Sequence, residues 1–197
     1  MSQLRKLQPP VSTGVLPPLA PSFRSTFQTA TYWPALVPRG ARLYRYGSTQ
    51  QQVRSSTQEW INFSEDCLPT SEEVIQRLCL LDFTDSDLGE RDPLSGAALP
   101  GRVVARGGPS GPNPPRPWNT AALRGAFRAT DEVYAWAGLA GPMAFDVFTG
   151  KRYQGRGDQM PHISRPGGGS QVLVHRGQLV KLELVEITPL ARVRYLS

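Results

Sequence analysis

Four stretches of this chain carry residue types that could do chemistry. Leu43-Tyr44-Arg45-Tyr46-Gly47-Ser48 brings an arginine off a strand beside a glycine turn. Trp60-Ile61-Asn62-Phe63-Ser64 is an aromatic-flanked strand that ends in a hydroxyl just before a helix signal. Pro166-Gly167-Gly168-Gly169-Ser170-Gln171-Val172-Leu173-Val174 is a glycine run that leads into a strand at a polar residue. The fourth is the stretch 89–117, where 13 of 29 residues are Gly or Pro. A segment that long without regular structure is functional or disordered, and its composition predicts mobility and early proteolysis.

Each feature also has a plainer reading. Arg45 suits the surface of an edge strand, and Trp60 and Phe63 suit a core. Ser64, followed by Glu65 and Asp66, suits a cap. Gly167–Gly169 suits an ordinary turn. A phosphate loop is rejected there, because a strand follows the glycines and not a helix. His162 stands near the same turn as a lone histidine. Asp82, Asp85 and Asp87 lack the glycine of a calcium loop. With two Cys (Cys67, Cys79) and two His (His162, His175), no zinc-ligand spacing exists, and the two cysteines read as free thiols of a reducing compartment.

The elements that must position these residues follow from pattern. Ala41–Tyr46 and Trp60–Ser64 read as strands. Thr70 with Glu73 three residues on has the capping-box spacing, and Val74, Ile75, Leu78 and Leu81 recur at helical intervals, which predicts a helix over 71–81. Residues 118–137 read as a second helix on Leu123, Phe127, Val133, Tyr134 and Ala137. Arg102–Ala105 is a possible short strand. Strands are expected at 143–148, 170–175 and 178–187, the last two as a hairpin about Arg176-Gly177, with a final strand over 191–196. Seven prolines in residues 1–38 mark a leader or linker, its aromatic second half (Phe23, Phe27, Tyr32, Trp33) the better packed. Residues 39–197 form the remaining domain. Helices early and strands late make the fold class α+β.

Composition bounds the function. The 197 residues carry a net charge of +6 and 39% hydrophobic residues, enough for a buried core. The 19 Gly lack the period of collagen, and 19% charged residues are too few for a long coiled coil. No apolar run approaches the roughly 18 residues that span a bilayer, so no membrane is expected as a partner. The N-terminal stretch lacks the apolar core of a signal peptide. The positive charge admits RNA or an acidic protein as partner. It is carried almost wholly by scattered Arg, since Lys6, Lys151 and Lys181 are the only lysines.

Taken in order, the arginine strand, the hydroxyl-ended strand with its helix, and the Gln171 strand resemble the ADP-ribosyltransferase superfamily of bacterial toxins. "PRGARLYRYGS" with "RPGGGSQVLV" is also similar to NAD glycohydrolases of the tuberculosis necrotizing toxin type. The resemblance spans about residues 38–187 and implies a split β-sheet core with flanking helices. It implies NAD⁺ as substrate, and cleavage of the nicotinamide–ribose bond by hydrolysis or by mono-ADP-ribosyl transfer to a macromolecular acceptor. Such a domain would be a toxin or effector, secreted to act in a target-cell cytoplasm or itself cytoplasmic, with an immunity protein as a possible partner.

The catalytic residues so implied are Arg45, Ser64 and Gln171. Arg45 would pair with the dinucleotide phosphates, which a planar guanidinium binds bidentately. Ser64 would shape the nicotinamide-ribose pocket, and Gln171 would hydrogen-bond the ribose. The NAD⁺-binding set adds Tyr46, Gly47, Trp60, Phe63, Gly168 and Gly169, with Trp60 or Phe63 stacking on nicotinamide. Transferases of this group carry Glu-x-Glu or Gln-x-Glu where this chain has Gly169-Ser170-Gln171, which favours hydrolysis. The rival reading is a non-catalytic basic module that binds RNA or an acidic protein.

Overall fold

The structure is a computed structural model, and it describes residues 3–8, 11–12, 14–28, 31–78, 121–146 and 162–191. Ten strands are present among them: β1 (Arg5–Lys6), β2 (Trp33–Val37), β3 (Arg42–Gly47), β4 (Trp60–Phe63), β5 (Leu123–Ala129), β6 (Val133–Leu139), β7 (Met143–Asp146), β8 (His162–Arg165), β9 (Ser170–His175) and β10 (Leu182–Pro189). The helices are α1 (Pro21–Arg24), α2 (Gln50–Arg54) and α3 (Ser71–Leu78), with a 3₁₀ segment at Arg176–Lys181. Helix and strand are both present, with few helices, as α+β implies.

The strands form a five-stranded sheet in the order β1-β2-β6-β9-β4 and a three-stranded sheet in the order β10-β5-β3, while β7 and β8 pair by themselves. Every named pair is antiparallel. The two larger sheets share one core. Ala35, Val37, Ile61, Phe63, Val133, Ala135, Val172 and Val174 from the first meet Leu43, Phe127 and Ala129 from the second, with Val53 of α2 between. At one point the sheets are joined directly: Tyr44 and Ser64 exchange backbone hydrogen bonds of 2.7 and 2.8 Å, from Tyr44 N to Ser64 O and from Ser64 N to Tyr44 O.

Three expectations are corrected. Of the helix expected over 118–137, residues 118–120 lie outside the described residues and the rest is not a helix: 123–129 and 133–139 are strands, and they belong to different sheets. Alternation explains this. In β6, Val133, Ala135 and Ala137 face the inter-sheet core, while Tyr134 and Trp136 pack on the opposite face. In β5, Gly125 lies opposite Val53, where even a Cβ would come within 2.4 Å of a valine methyl. A glycine is unfavourable inside a helix by about 1 kcal/mol but fits a strand that another element closely approaches.

The second correction concerns the hairpin at Arg176-Gly177. Those residues open the 3₁₀ segment, and the chain passes from β9 in one sheet to β10 in the other. The third concerns the Pro-rich leader, whose aromatic second half packs as expected, but as part of the larger sheet and its cover and not as a linker. Its second half supplies β2, which pairs with β1 on one side and β6 on the other. Leu16, Leu19 and Phe27 cover Trp60 and Leu173 on the outer face of the larger sheet.

The strands expected at 41–46 and 60–64 are present within a residue or so. The expected helix is present as Ser71–Leu78, with Glu73 N donating to Thr70 Oγ1 at 3.2 Å. Residues 79–81, the stretch 89–117 with its possible strand at 102–105, residues 147–148 and residues 192–196 lie outside the described residues. No helix among the described residues is long and apolar enough to cross a membrane.

Candidate functional site

The carboxyl end of β4 and the start of β9 meet, and this junction is built from hydroxyls. Ser64 is fully buried, and its Oγ lies 2.8 Å from Ser170 Oγ. Ser170 Oγ accepts the backbone N–H of Glu65 at 2.8 Å and of Asp66 at 3.1 Å. Ser64 Oγ also accepts from Asp66 N, at 3.0 Å. In return Ser170 N donates to Asp66 Oδ2 at 2.8 Å. The single Asp66 N–H is thus shared between the two hydroxyl oxygens, and either hydroxyl can donate in the bond between them. Two motifs over a hundred positions apart are thereby stitched together.

Beside the junction opens a pocket of about 490 Å³, walled by Trp33 of β2, Gly138 of β6, Ser170 and Gln171 of β9, and Glu65 and Asp66 of the turn after β4. Gln171 is 4% exposed. Its Nε2 donates to Thr26 Oγ1 at 2.7 Å, and the Thr26 hydroxyl donates onward to Phe23 O at 2.7 Å.

Arg45 lies on β3, opposite Gly125. Its Nη1 donates to the carbonyl oxygens of Val53 (3.1 Å) and Ser55, at the end of α2. Burial lowers its pKa to about 10, so it stays charged at neutral pH. Among the described residues, the pocket lining includes neither Arg45 nor Ser64. The geometry therefore unites Ser64 with Gln171's strand and leaves Arg45 to brace α2.

Trp60 and Phe63 are corrected as stacking residues. Trp60 is 1% exposed and stands edge-on to His175 at 5.2 Å between ring centroids. Phe63 is 2% exposed and stands edge-on to Phe127 at 5.1 Å. Neither face is open to a ligand. Gly47 packs against Val53 and Gln52.

Gly167 and Gly169 hold a helix end, while Gly168 N donates to Ala140 O at 2.8 Å. Gly169 N donates to Arg77 O at 2.9 Å and Gly167 N to Gln76 O at 3.1 Å, capping the carbonyl end of α3. Gly167 and Gly168 have φ of +73° and +85°, which a side chain would strain. His162 is part of β8, paired in register with Asp146.

Tyr46 also supports the site from beneath. Its hydroxyl donates to Asp66 O at 2.6 Å and accepts from Leu68 N at 2.9 Å, so it pins the turn that carries Glu65 and Asp66. Tyr46→Phe should cost about 1–3 kcal/mol, the usual penalty for leaving buried polar groups unpaired. Burial raises the Tyr46 pKa above the ordinary tyrosine value of 10. The unfolded chain therefore loses this proton first. The stability it contributes is complete below pH 10 and falls as the pH rises above 10. Urea midpoints at pH 8 and pH 10.8 should show a smaller alkaline drop for Tyr46→Phe than for the parent. An equal drop in both would remove Tyr46 as the titrating group. Arg45 works in the opposite sense over this range, but it is common to both proteins and cancels from the comparison.

Ser170, Asp66, Trp33 and Thr26 were not singled out by type or spacing. Ser170, as the neighbour of Gln171, and Asp66, two residues after Ser64, had a local signal; Trp33 and Thr26 come to the site through long-range packing. Compared with protein-family models and with curated proteins, the chain matches none. Among the described residues no group of three or more His, Cys, Asp or Glu could hold a metal ion.

Proposed function

We propose that this chain is an NAD⁺-cleaving domain of the ADP-ribosyltransferase type, a toxin or effector that hydrolyses the nicotinamide–ribose bond. The finer fold reading belongs to the same proposal: two antiparallel sheets, joined at the Arg45-bearing strand and at Ser64, correspond to the split core of that superfamily. The observation that carries the reading is the 2.8 Å bond between Ser64 and Ser170 at the edge of a pocket that Gln171 lines. It joins the second and third motifs at one place.

Cleavage of that bond passes through an oxocarbenium-like state with a good leaving group, so the protein must hold the dinucleotide, orient the ribose and admit water. Gln171 commits one N–H to Thr26, and among the described residues its carboxamide oxygen is uncommitted, which suits it to a ribose hydroxyl. Arg45 retains donors beyond Nη1 for phosphate. A water acceptor needs no strong general base, in keeping with a glutamine at 171. Transfer to a macromolecule is the variant in which another nucleophile takes the place of water.

The test is incubation of the whole chain with NAD⁺ and measurement of free nicotinamide. Release at catalytic protein concentration supports the proposal. No release, with RNA retained in a steeply salt-dependent way, would instead establish a basic binding module. Arg45→Ala is expected to slow release on the order of 10²–10³-fold, with Arg45→Lys recovering little because a point charge does not replace the fork. Thermal melts must accompany both variants, since loss of Arg45 also frees the Val53 and Ser55 carbonyls. Full activity in Arg45→Ala would remove the family assignment.

A further inference from the structure

We infer that the free edge of β10 is a docking site for an extended, basic segment of another protein, which adds to the smaller sheet as a further strand. The inference is independent of the NAD⁺ reading, since β10 contributes no residue to the pocket at Gln171.

The other sheet edges are short or closed. The larger sheet ends at β1 and β4, and the smaller at β3 and β10. β1 has only two residues. The β3 and β4 edges close on each other through the Tyr44–Ser64 backbone bonds. β10 runs for eight residues, and among the described residues its partner strand is β5 alone. In an antiparallel ladder, alternate residues turn their N–H and C=O groups away from the partner. A strand this long therefore presents a row of unpaired backbone groups, the template on which an added strand builds.

The side chains of β10 select what is added. Leu182–Pro189 carries Glu183 and Glu186 and no Lys or Arg, in a chain whose net charge is +6. Glu183 is answered by Arg128 at 2.6 Å. Glu186 is exposed and makes no ion pair among the described residues; its Oε1 accepts from Thr188 Oγ1 at 3.5 Å. Cations on adjoining segments are engaged elsewhere. Arg124 donates to Cys67 Sγ and Leu68 O, and Lys181 donates to Glu132 O and lies 3.9 Å from Asp131. A Lys or Arg on the incoming strand supplies the partner that Glu186 lacks.

Val185 adds an apolar element. It is the extra residue of a bulge between Leu184 and Glu186, and it is half-exposed. An incoming apolar side chain covers it. A second copy of β10 is a poor occupant, because antiparallel self-pairing sets Glu183 and Glu186 against the same residues of the partner, and like charges across a ladder are destabilising. The occupant that fits is an extended segment in which basic and β-branched apolar residues alternate.

The experiment titrates the whole chain with three fluorescein-labelled heptapeptides, read by anisotropy. The first alternates Lys and Val, and the second has Glu in place of each Lys. The third is the first with every backbone nitrogen methylated, which keeps the charge and removes the donors. The first should bind at least about fivefold more tightly than the second, as opposite-charge cross-strand pairs allow. The third should bind at least about fivefold more weakly than the first, since it cannot complete the ladder. Amide exchange in the presence of the first should slow within Leu182–Pro189. Glu186→Lys, a change at an exposed position, should reverse the order of the first two peptides, with a thermal melt to confirm folding.

No binding of the first peptide, equal binding of the first two, or a preference untouched by Glu186→Lys overturns the proposal. Equal binding of the methylated peptide overturns it as well, since charge attraction alone would then explain the effect. So does slowed exchange confined to another strand. Concentration-dependent dimerisation of the free chain with β10 amides protected would give the edge to a second copy and overturn it too.

Discussion

Gln171→Ala is expected to abolish nicotinamide release and to lower the melting temperature at the same time. The rate effect follows from the proposed role, since alanine keeps neither donor nor acceptor for the ribose. The stability effect follows from geometry. Gln171 is nearly fully buried, and its Nε2 is paired with Thr26 Oγ1. Truncation leaves that oxygen without its donor, at a cost of about 1–3 kcal/mol. At about 2–4 °C per kcal/mol for a chain of this size, the shift is measurable.

Gln171→Glu separates the two effects. A carboxylate can accept but not donate, so Thr26 must turn its proton from Phe23 O toward residue 171. The fold should survive with a lower melting temperature, and at least part of the turnover should remain, because a carboxylate can both accept from the ribose and stabilise positive charge. The measurement is nicotinamide release by both variants at a temperature where melts show them folded. A folded Gln171→Ala that turns over NAD⁺ like the parent would reduce the Gly-rich turn to a scaffold feature.

Trp60→Ala should produce the largest loss of stability, about 3–5 kcal/mol, as for other buried aromatic truncations. Trp60 is among the largest fully buried side chains and packs with Leu16, Leu19, Phe27 and Leu173. Against a total stability of about 5–15 kcal/mol, that loss brings the chain close to unfolding. Trp60→Phe, which keeps most of the apolar volume, should fold and release nicotinamide within a few-fold of the parent, because position 60 does not line the pocket. Denaturant titration reads the first effect and the NAD⁺ assay the second. A folded Trp60→Phe that loses turnover would return Trp60 to the ligand site.

The local elements were legible without the fold. Arg42–Gly47 and Trp60–Phe63 announce themselves by β-branched and aromatic content bounded by turns, and Ser71–Leu78 by the Thr70 cap and three apolar residues, Val74, Ile75 and Leu78, on one stripe. These signals lie within a few residues of one another and depend on backbone preference alone. Glycines at 167–169 likewise had to be a turn, whatever they touched.

Everything that depends on which face is covered, and by what, was decided by the tertiary structure. Val133–Leu139 satisfies a helical count and a strand alternation alike; it is a strand because Ala135 and Ala137 meet the opposing sheet while Tyr134 and Trp136 meet the segment from Leu16 to Phe27. The strand from Leu182 alternates clearly, yet its partner is β5 and not the neighbouring β9, since strand pairing is a choice among distant segments that no local pattern encodes. The site follows the same division. Ser64 and Gln171 were visible as residue types, whereas the burial of Trp60 and Phe63, the Ser64–Ser170 bond and the Thr26 contact exist only because sheet closure brings segments dozens to over a hundred positions apart within hydrogen-bond or van der Waals reach.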